Sequence, residues 1–317
     1  MSARPASPVT TPTAAIAAPR VSPRRLLRFF VLFALIPYLA VTTLFVCCQR
    51  ELIYQPTKTS RLLAADVATP DLALEDVEVE ATDGRVLHGW RFLAKQEADD
   101  GSPFLVIYFP GNAGCRRDRY ADCRDFTNLG CEVLLFDYRG YGDNGGSPSE
   151  EHLAADAQRV WSLATKQLGF SPARIVLFGE SLGGAVATRL AAERAQTGEP
   201  PAALVLNSTF ASLGETVAWH YPAFPFRYFL WDHFPSVDRI PHVGCPVLQF
   251  HGTGDDIVPL AHGQRLFAAA PTRSPTGIAS RFVTVQDGQH NFIAMPDMHT
   301  AVGMLLAEIR KRTIPEP

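Results

Sequence analysis

Five uninterrupted apolar runs constrain most strongly what this 317-residue chain can fold into. They are FLVIYF (104–109), EVLLFDY (132–138), RIVLFG (174–179), ALVLNS (203–208) and VLQFHG (247–252), with RFVTVQ (281–286) as a sixth strand-like segment. A half-solvated strand alternates apolar and polar residues, whereas a strand covered on both faces is apolar throughout. Between the runs, residues 150–168, 182–196 and 261–270 carry helical periodicity, and AVGMLLAEIRKR near the C-terminus is amphipathic. Upstream, LEDVEVEAT and RVLHGWRFLA flank Asp83-Gly84, a hairpin signal. The pattern predicts an α/β fold whose mostly parallel central sheet is flanked by helices, built as one domain over residues 49–317.

The N-terminal region has another character. Residues 1–26 are rich in Pro, Ala, Ser and Thr and lack periodicity, so a disordered tail is expected there. Phe29 to Cys48 then gives twenty residues without a charge. At the helical rise they extend roughly 30 Å, one bilayer core, and an anchor is expected over 27–48. Pro37 is tolerable in such a helix. Arg20, Arg24, Arg25 and Arg28 precede the stretch, while Arg50, balanced by Glu51, follows it. The positive-inside rule therefore puts the N-terminus in the cytoplasm and the domain across the membrane, on the periplasmic side in a bacterium. A cleaved secretory signal wants a shorter core and a small-x-small site, and a lipoprotein signal wants small residues where Phe45 and Val46 precede Cys47.

Net charge of −3 and a pI near 6.3 give no electrostatic case for nucleic acid. Cys47 and Cys48 lie at the membrane edge, and Cys115, Cys123, Cys131 and Cys245 in the domain; their spacings match no metal motif, so neither metal nor cofactor is expected.

Gly179-Glu180-Ser181-Leu182-Gly183 follows a buried strand and precedes AVATRLAAERA, the strand–turn–helix context that a G-x-S-x-G nucleophile needs. A serine hydroxyl requires a base oriented by a third group, with acid and base following on loops after late strands. HGTGDDIVP supplies Asp255 and its neighbour Asp256, and GQHNF supplies His290 beyond the last strand. The order Ser181, acid, His290 fits a triad, and periodicity alone does not separate the adjacent carboxylates. His251 and His262 flank the acid loop and do not follow the final strand, and His299 reads as a surface residue. For the developing oxyanion, the backbone N–H of Leu182 is one expected donor. The loop FPGNAG offers the other: Pro110 has none, so Asn112 is expected, with Ala113 behind it.

FPGNAG, DYRGYGDNGGSPSE, GESLGG, HGTGDDIVP and GQHNF together resemble the α/β-hydrolase superfamily. They are most similar to its membrane-anchored branch of Bem46-like proteins and the mammalian ABHD13 and ABHD17 types. The resemblance spans roughly residues 45–310, including QRELIYQP. It implies an α/β-hydrolase fold with Ser181 as nucleophile, Asp255 rather than Asp256 as acid, His290 as base, and Asn112 and Leu182 as oxyanion donors. Two departures are Pro110, where members often carry histidine, and Asn144, where RGYGxSxG has serine. The glycine-rich stretch Arg139–Glu150 lacks the lysine of a phosphate-binding loop and reads as structural.

The expected function is a membrane-anchored serine hydrolase that cleaves a carboxylic ester or thioester through an acyl-enzyme. TVAWHYPAFPFRYFLWDHFP, with eight aromatic residues and three prolines, reads equally as ordinary packing over the sheet edge or as a small cap over 212–243 at an active-site mouth. An aromatic insertion beside a membrane suggests a lipid-like acyl substrate. A peptidase or amidase of the same fold is the alternative chemistry, and a non-catalytic tethered binding protein the alternative class.

Overall fold

The computed structural model describes residues 22–70, 72–95, 103–290 and 295–313. Its eight-stranded sheet is built from β1 (Leu74–Glu80), β2 (Val86–Phe92), β3 (Phe104–Phe109), β4 (Cys131–Phe136), β5 (Ile175–Glu180), β6 (Ala203–Asn207), β7 (Val247–Gly252) and β8 (Arg281–Val285). The order across the sheet is β8-β7-β6-β5-β3-β4-β2-β1. The hairpin β1–β2 turns at Gly84, whose φ of 76° favours glycine, and β2 joins β4 antiparallel. Every other pairing is parallel. β3, β5 and β7 are buried along their whole length, so the uninterrupted apolar runs became the strands covered on both faces.

The chain moves outward from β3 to β4, then crosses back over β3 to reach β5. At that reversal the C-terminal ends of β3 and β5 lie side by side, with Phe109 paired to Gly179. Connections leaving neighbouring strands in opposite senses open a crevice, the favoured ligand position in open α/β sheets.

The helices after the N-terminal one are Tyr120–Asn128, Glu150–Ser162, Leu182–Gln196, Leu213–His220, Ser236–Arg239, Leu260–Ala269 and Met295–Thr313. Tyr120–Asn128, too short and polar to show a clear period, was not anticipated as an element. Leu182–Gln196 matches the expected helix at both ends. All six cysteines are free thiols.

The chain divides into two units, Met1–Phe45 and Val46–Pro317. Among the described residues, one helix, Pro23–Ile53, is long and apolar enough to cross a membrane. Ser22 caps it by accepting from the Arg25 N–H, with Pro23 in the first turn where its missing donor costs nothing. Val31–Leu35 forms a π-helical turn just before Pro37, a local adjustment to a residue with no N–H. The helix therefore starts ahead of the expected anchor and ends beyond it. Residues 1–21 of the expected tail lie outside the described residues.

Candidate active site

Ser181 stands between β5 and helix Leu182–Gln196 with φ 51° and ψ −114°, left-handed backbone that costs a non-glycine residue about 1–3 kcal/mol. Core packing holds it there. The Ser181 N–H donates to Asn207 O at 2.8 Å, and the Thr209 hydroxyl donates to Ser181 O at 2.7 Å. The flanking glycines are needed for contact rather than flexibility. A Cβ on Gly183 would lie 2.0 Å from Phe109 O, and one on Gly179 would lie 2.5 Å from Gly183 O. The helix start is thus pressed against the end of β3, which fixes the height of the serine above the sheet.

His290 Nε2 lies 3.0 Å from Ser181 Oγ, and His290 Nδ1 lies 2.8 Å from Asp255 Oδ2. A carboxylate only accepts, so Nδ1 carries the ring proton and Nε2 is left to accept from the serine hydroxyl. Asp255 Oδ1 accepts from the N–H groups of Ile257 (3.1 Å) and Val258 (2.8 Å). Burial by itself would raise the Asp255 carboxyl, but hydrogen bonds from His251, His290 and Val258 outweigh it and hold the group well below the ordinary carboxylate range. All three side chains are buried. Asp256 is exposed on the outer side of the same turn.

The other histidines sort themselves by position. His251 ends β7 fully buried; its Nε2 donates to Val258 O at 2.8 Å and lies 3.4 Å from Asp255 Oδ2, so it braces the acid from behind. That supporting contact was not legible from the sequence. His262 sits half-buried in helix Leu260–Ala269. His299 is less exposed than expected: its ring packs on Phe126, with Nε2 3.8 Å from Asp125.

Of the expected oxyanion donors, Leu182 opens its helix and so has no intrahelical acceptor for its N–H. Asn112 is held from several sides: its side-chain amide donates to Ile53 O (2.8 Å), and its carbonyl accepts from Gln55 N–H (2.9 Å) and Tyr141 OH (2.7 Å). Gln55–Pro56 pairs with Ala113–Gly114 as a short parallel bridge. The segment QRELIYQP therefore scaffolds this loop, a role its sequence does not disclose.

A cleft of about 640 Å³ opens beside Ser181 and His290 and is lined by Gln55, Asn112, Arg119, Asp122, Glu180 and Ile257, among others. Its wall is polar. Arg119 makes a two-pronged contact to Glu180 (2.7 and 3.0 Å), whose Oε2 also accepts from Tyr108 OH at 3.1 Å. Burial and then the Glu180 carboxylate raise the Asp122 carboxyl above its ordinary value. No residue of 212–243 lines this cleft, so the insertion does not contribute aromatic rings to its wall. The insertion does reach the acid loop, where His220 Nε2 contacts Ile257 O at 2.9 Å.

Arg139–Glu150 is structural as read. Arg139 forks onto Asp156 at 2.8 and 2.5 Å. Asn144, at the departing serine position, accepts from His88 N–H at 2.8 Å and donates to Asp137 O at 2.7 Å. Among the described residues, no His, Cys, Asp or Glu cluster could hold a metal ion.

Residues 105–231 match the family model described as serine aminopeptidase, S33. An uncharacterized protein of Mycobacterium tuberculosis is 46% identical over 243 residues, which is 77% of this chain and 80% of that protein. Lysophosphatidylserine lipase ABHD12 of Danio rerio is 33% identical over 208 residues; the match takes in 60% of this chain and 54% of that lipase, so the chain spans about half its length. An esterase of Pyrococcus furiosus superposes with a TM-score of 0.60 at 20% identity, covering 81% of this chain and 98% of its own. An alpha-beta hydrolase of Vibrio vulnificus gives 0.59 at 17% identity, covering 96% and 98%. Both are likenesses of fold.

Proposed function

This chain belongs to the α/β-hydrolase superfamily and is a serine hydrolase, and on that premise we propose that it is membrane-anchored and cleaves a carboxylic ester or thioester of a lipid-like acyl group. The observation that carries the reading is the hydrogen-bonded relay from Ser181 through His290 to Asp255. His290 Nε2 takes the serine proton as Oγ bonds to the acyl carbon, and Asp255 steadies the imidazolium through Nδ1. The negative charge that forms on the acyl oxygen is received by the N–H groups of Leu182 and Asn112. Collapse of this intermediate expels the alcohol or thiol, which takes its proton from His290. Water activated by the same imidazole then frees the acid and restores Ser181.

The lipid-like substrate is supported by the apolar helix Pro23–Ile53 and by the name of the ABHD12 relatives, which act on lysophosphatidylserine. The polar cleft wall suits a substrate whose leaving group is a polar head. The arginines before Phe29 support an orientation with the N-terminus in the cytoplasm and the catalytic domain outside it. Amide hydrolysis is a second reading, favoured by the aminopeptidase family model over residues 105–231.

Labelling with a fluorophosphonate probe tests the nucleophile. Wild type should label and Ser181→Ala should not; equal labelling ends the assignment. Matched lysophospholipid, acyl-thioester and aminoacyl-amide substrates separate the chemistries, and preference for the amide overturns the esterase reading. A reporter fused at the C-terminus and active only in the cytoplasm overturns the topology.

A further inference from the structure

The aromatic insertion leaves five large rings substantially in water: Trp219 is 50% exposed, Tyr221 48%, Tyr228 68%, Phe229 46% and Trp231 53%. Rings of this size bury well in cores and interfaces, and a cluster of them left open marks a surface that meets something other than water. They do not line the catalytic cleft. They connect two places. At one end Trp219 packs against the His220 ring, and His220 in turn contacts Ile257 at the cleft's lip. At the other end the rings meet the last turn of helix Pro23–Ile53.

That second junction is closely built. Gln49, fully buried, donates through Nε2 to Phe229 O (3.1 Å) and accepts at Oε1 from Trp231 N–H (2.7 Å). Arg50 stacks on Trp231 with its guanidinium 5.4 Å from the ring centroid, and its Nε donates to Asp232 at 3.1 Å. Buried Asp232 also accepts from Tyr54 OH (3.1 Å) and the Glu150 N–H (3.0 Å). The turn carrying Phe229 and Trp231 is therefore fixed to Gln49 and Arg50, the two residues that follow the uncharged stretch Phe29–Cys48. A second arginine, Arg227, stacks on Tyr228 at 4.6 Å.

Tryptophan and tyrosine beside arginine, set where an apolar span ends, is the composition that favours the headgroup level of a bilayer: the rings take the apolar side and the guanidinium groups the phosphates. We propose that the exposed rim of residues 219–231 is an interfacial docking surface for the same bilayer that holds Pro23–Ile53. It presents the lip of the cleft, through His220 and Ile257, to lipid at headgroup depth. A substrate would then pass from bilayer to Ser181 without entering bulk water. The inference rests on the anchoring reading given above.

The chain's four tryptophans make the test direct, because Trp90 and Trp161 are 0% and 1% exposed while Trp219 and Trp231 face out. The full chain is reconstituted in phosphatidylcholine–phosphatidylglycerol vesicles, and alkaline extraction first establishes anchoring. Lipids brominated near the glycerol end of the acyl chains should quench the emission more than lipids brominated at the methyl end. Trp219→Phe with Trp231→Phe should remove that quenching. Emission quenched by aqueous iodide and untouched by brominated lipid, in protein that resists extraction, overturns the docking surface while leaving anchoring intact. Protein released by alkali overturns both. As a second measurement, Trp219→Ser with Tyr228→Ser and Trp231→Ser should lose about tenfold activity on a vesicle-embedded ester and stay within about twofold of wild type on a water-soluble short-chain ester. Equal losses on both substrates overturn the proposal, because the soluble ester does not require docking and a shared loss points to the Ser181 site.

Discussion

The nucleophile turn and the aromatic insertion are neighbours in the sequence and opposites in construction. From Ile175 to Ala192 nearly every residue is buried, and the one strained backbone position, Ser181, is held by contacts too close to admit a single added carbon. From Trp219 to Trp231 the chain spends its largest side chains on the surface. The first region takes its geometry from the core. The second is fixed at its base by Gln49, Arg50 and Asp232, touches the acid loop through His220, and keeps five large rings substantially exposed. Chemistry and access are thus assigned to separate parts of the fold, and substitutions in each should read out differently.

The largest effect is expected in the first region. Ser181→Ala should lower kcat by about 10^6-fold, measured on a soluble ester with binding to the vesicle unchanged. Asp255→Asn should cost about 10^4-fold, because an amide orients the imidazole in the wrong tautomer; a loss under tenfold would mean that Asp255 does not serve as the acid. Asp232→Ala tests the base of the insertion. It strands the Tyr54 hydroxyl and the Glu150 N–H and leaves Arg50 without its partner, so denaturant melts should show a loss of about 3 kcal/mol. An unchanged midpoint would show that the insertion stands without this clamp, and the contrast drawn above would fail.

The smallest effect is in pH dependence. Asp255 is held below the ordinary carboxylate range in the folded protein, so its ionisation favours folding. That contribution is complete above about pH 4 and is lost as pH falls toward the folded value. The gap in Tm between wild type and Asp255→Asn should therefore be wider at pH 7 than at pH 3. A constant gap would refute the coupling.

Much of the fold was legible because burial on both faces writes itself as unbroken apolar runs; β3 and β7 match their segments at both ends. The triad residues were legible for a topological reason: a nucleophile needs a strand–turn–helix, and its partners must fall on later loops. What the sequence concealed depends on long-range contact. Arg119 reaches Glu180 across 61 positions, and Gln49 reaches Phe229 across 180. Neither pairing leaves a periodic trace. The insertion stayed ambiguous for a related reason, since a run of aromatic residues looks the same whether its rings turn inward to a pocket or outward.

One contact bears on how such a protein could be cut loose from the anchor proposed above. Asn112 hangs by its side chain from the carbonyl of Ile53 and by its own carbonyl from Gln55. A protease that clips the chain before Gln49 would release a domain whose catalytic loop is still braced. A cut after Gln55 would shed the Ile53 and Gln55 contacts together with the anchor and leave Asn112 held by Tyr141. The few residues between those two points decide how much of the loop's bracing the liberated fragment keeps.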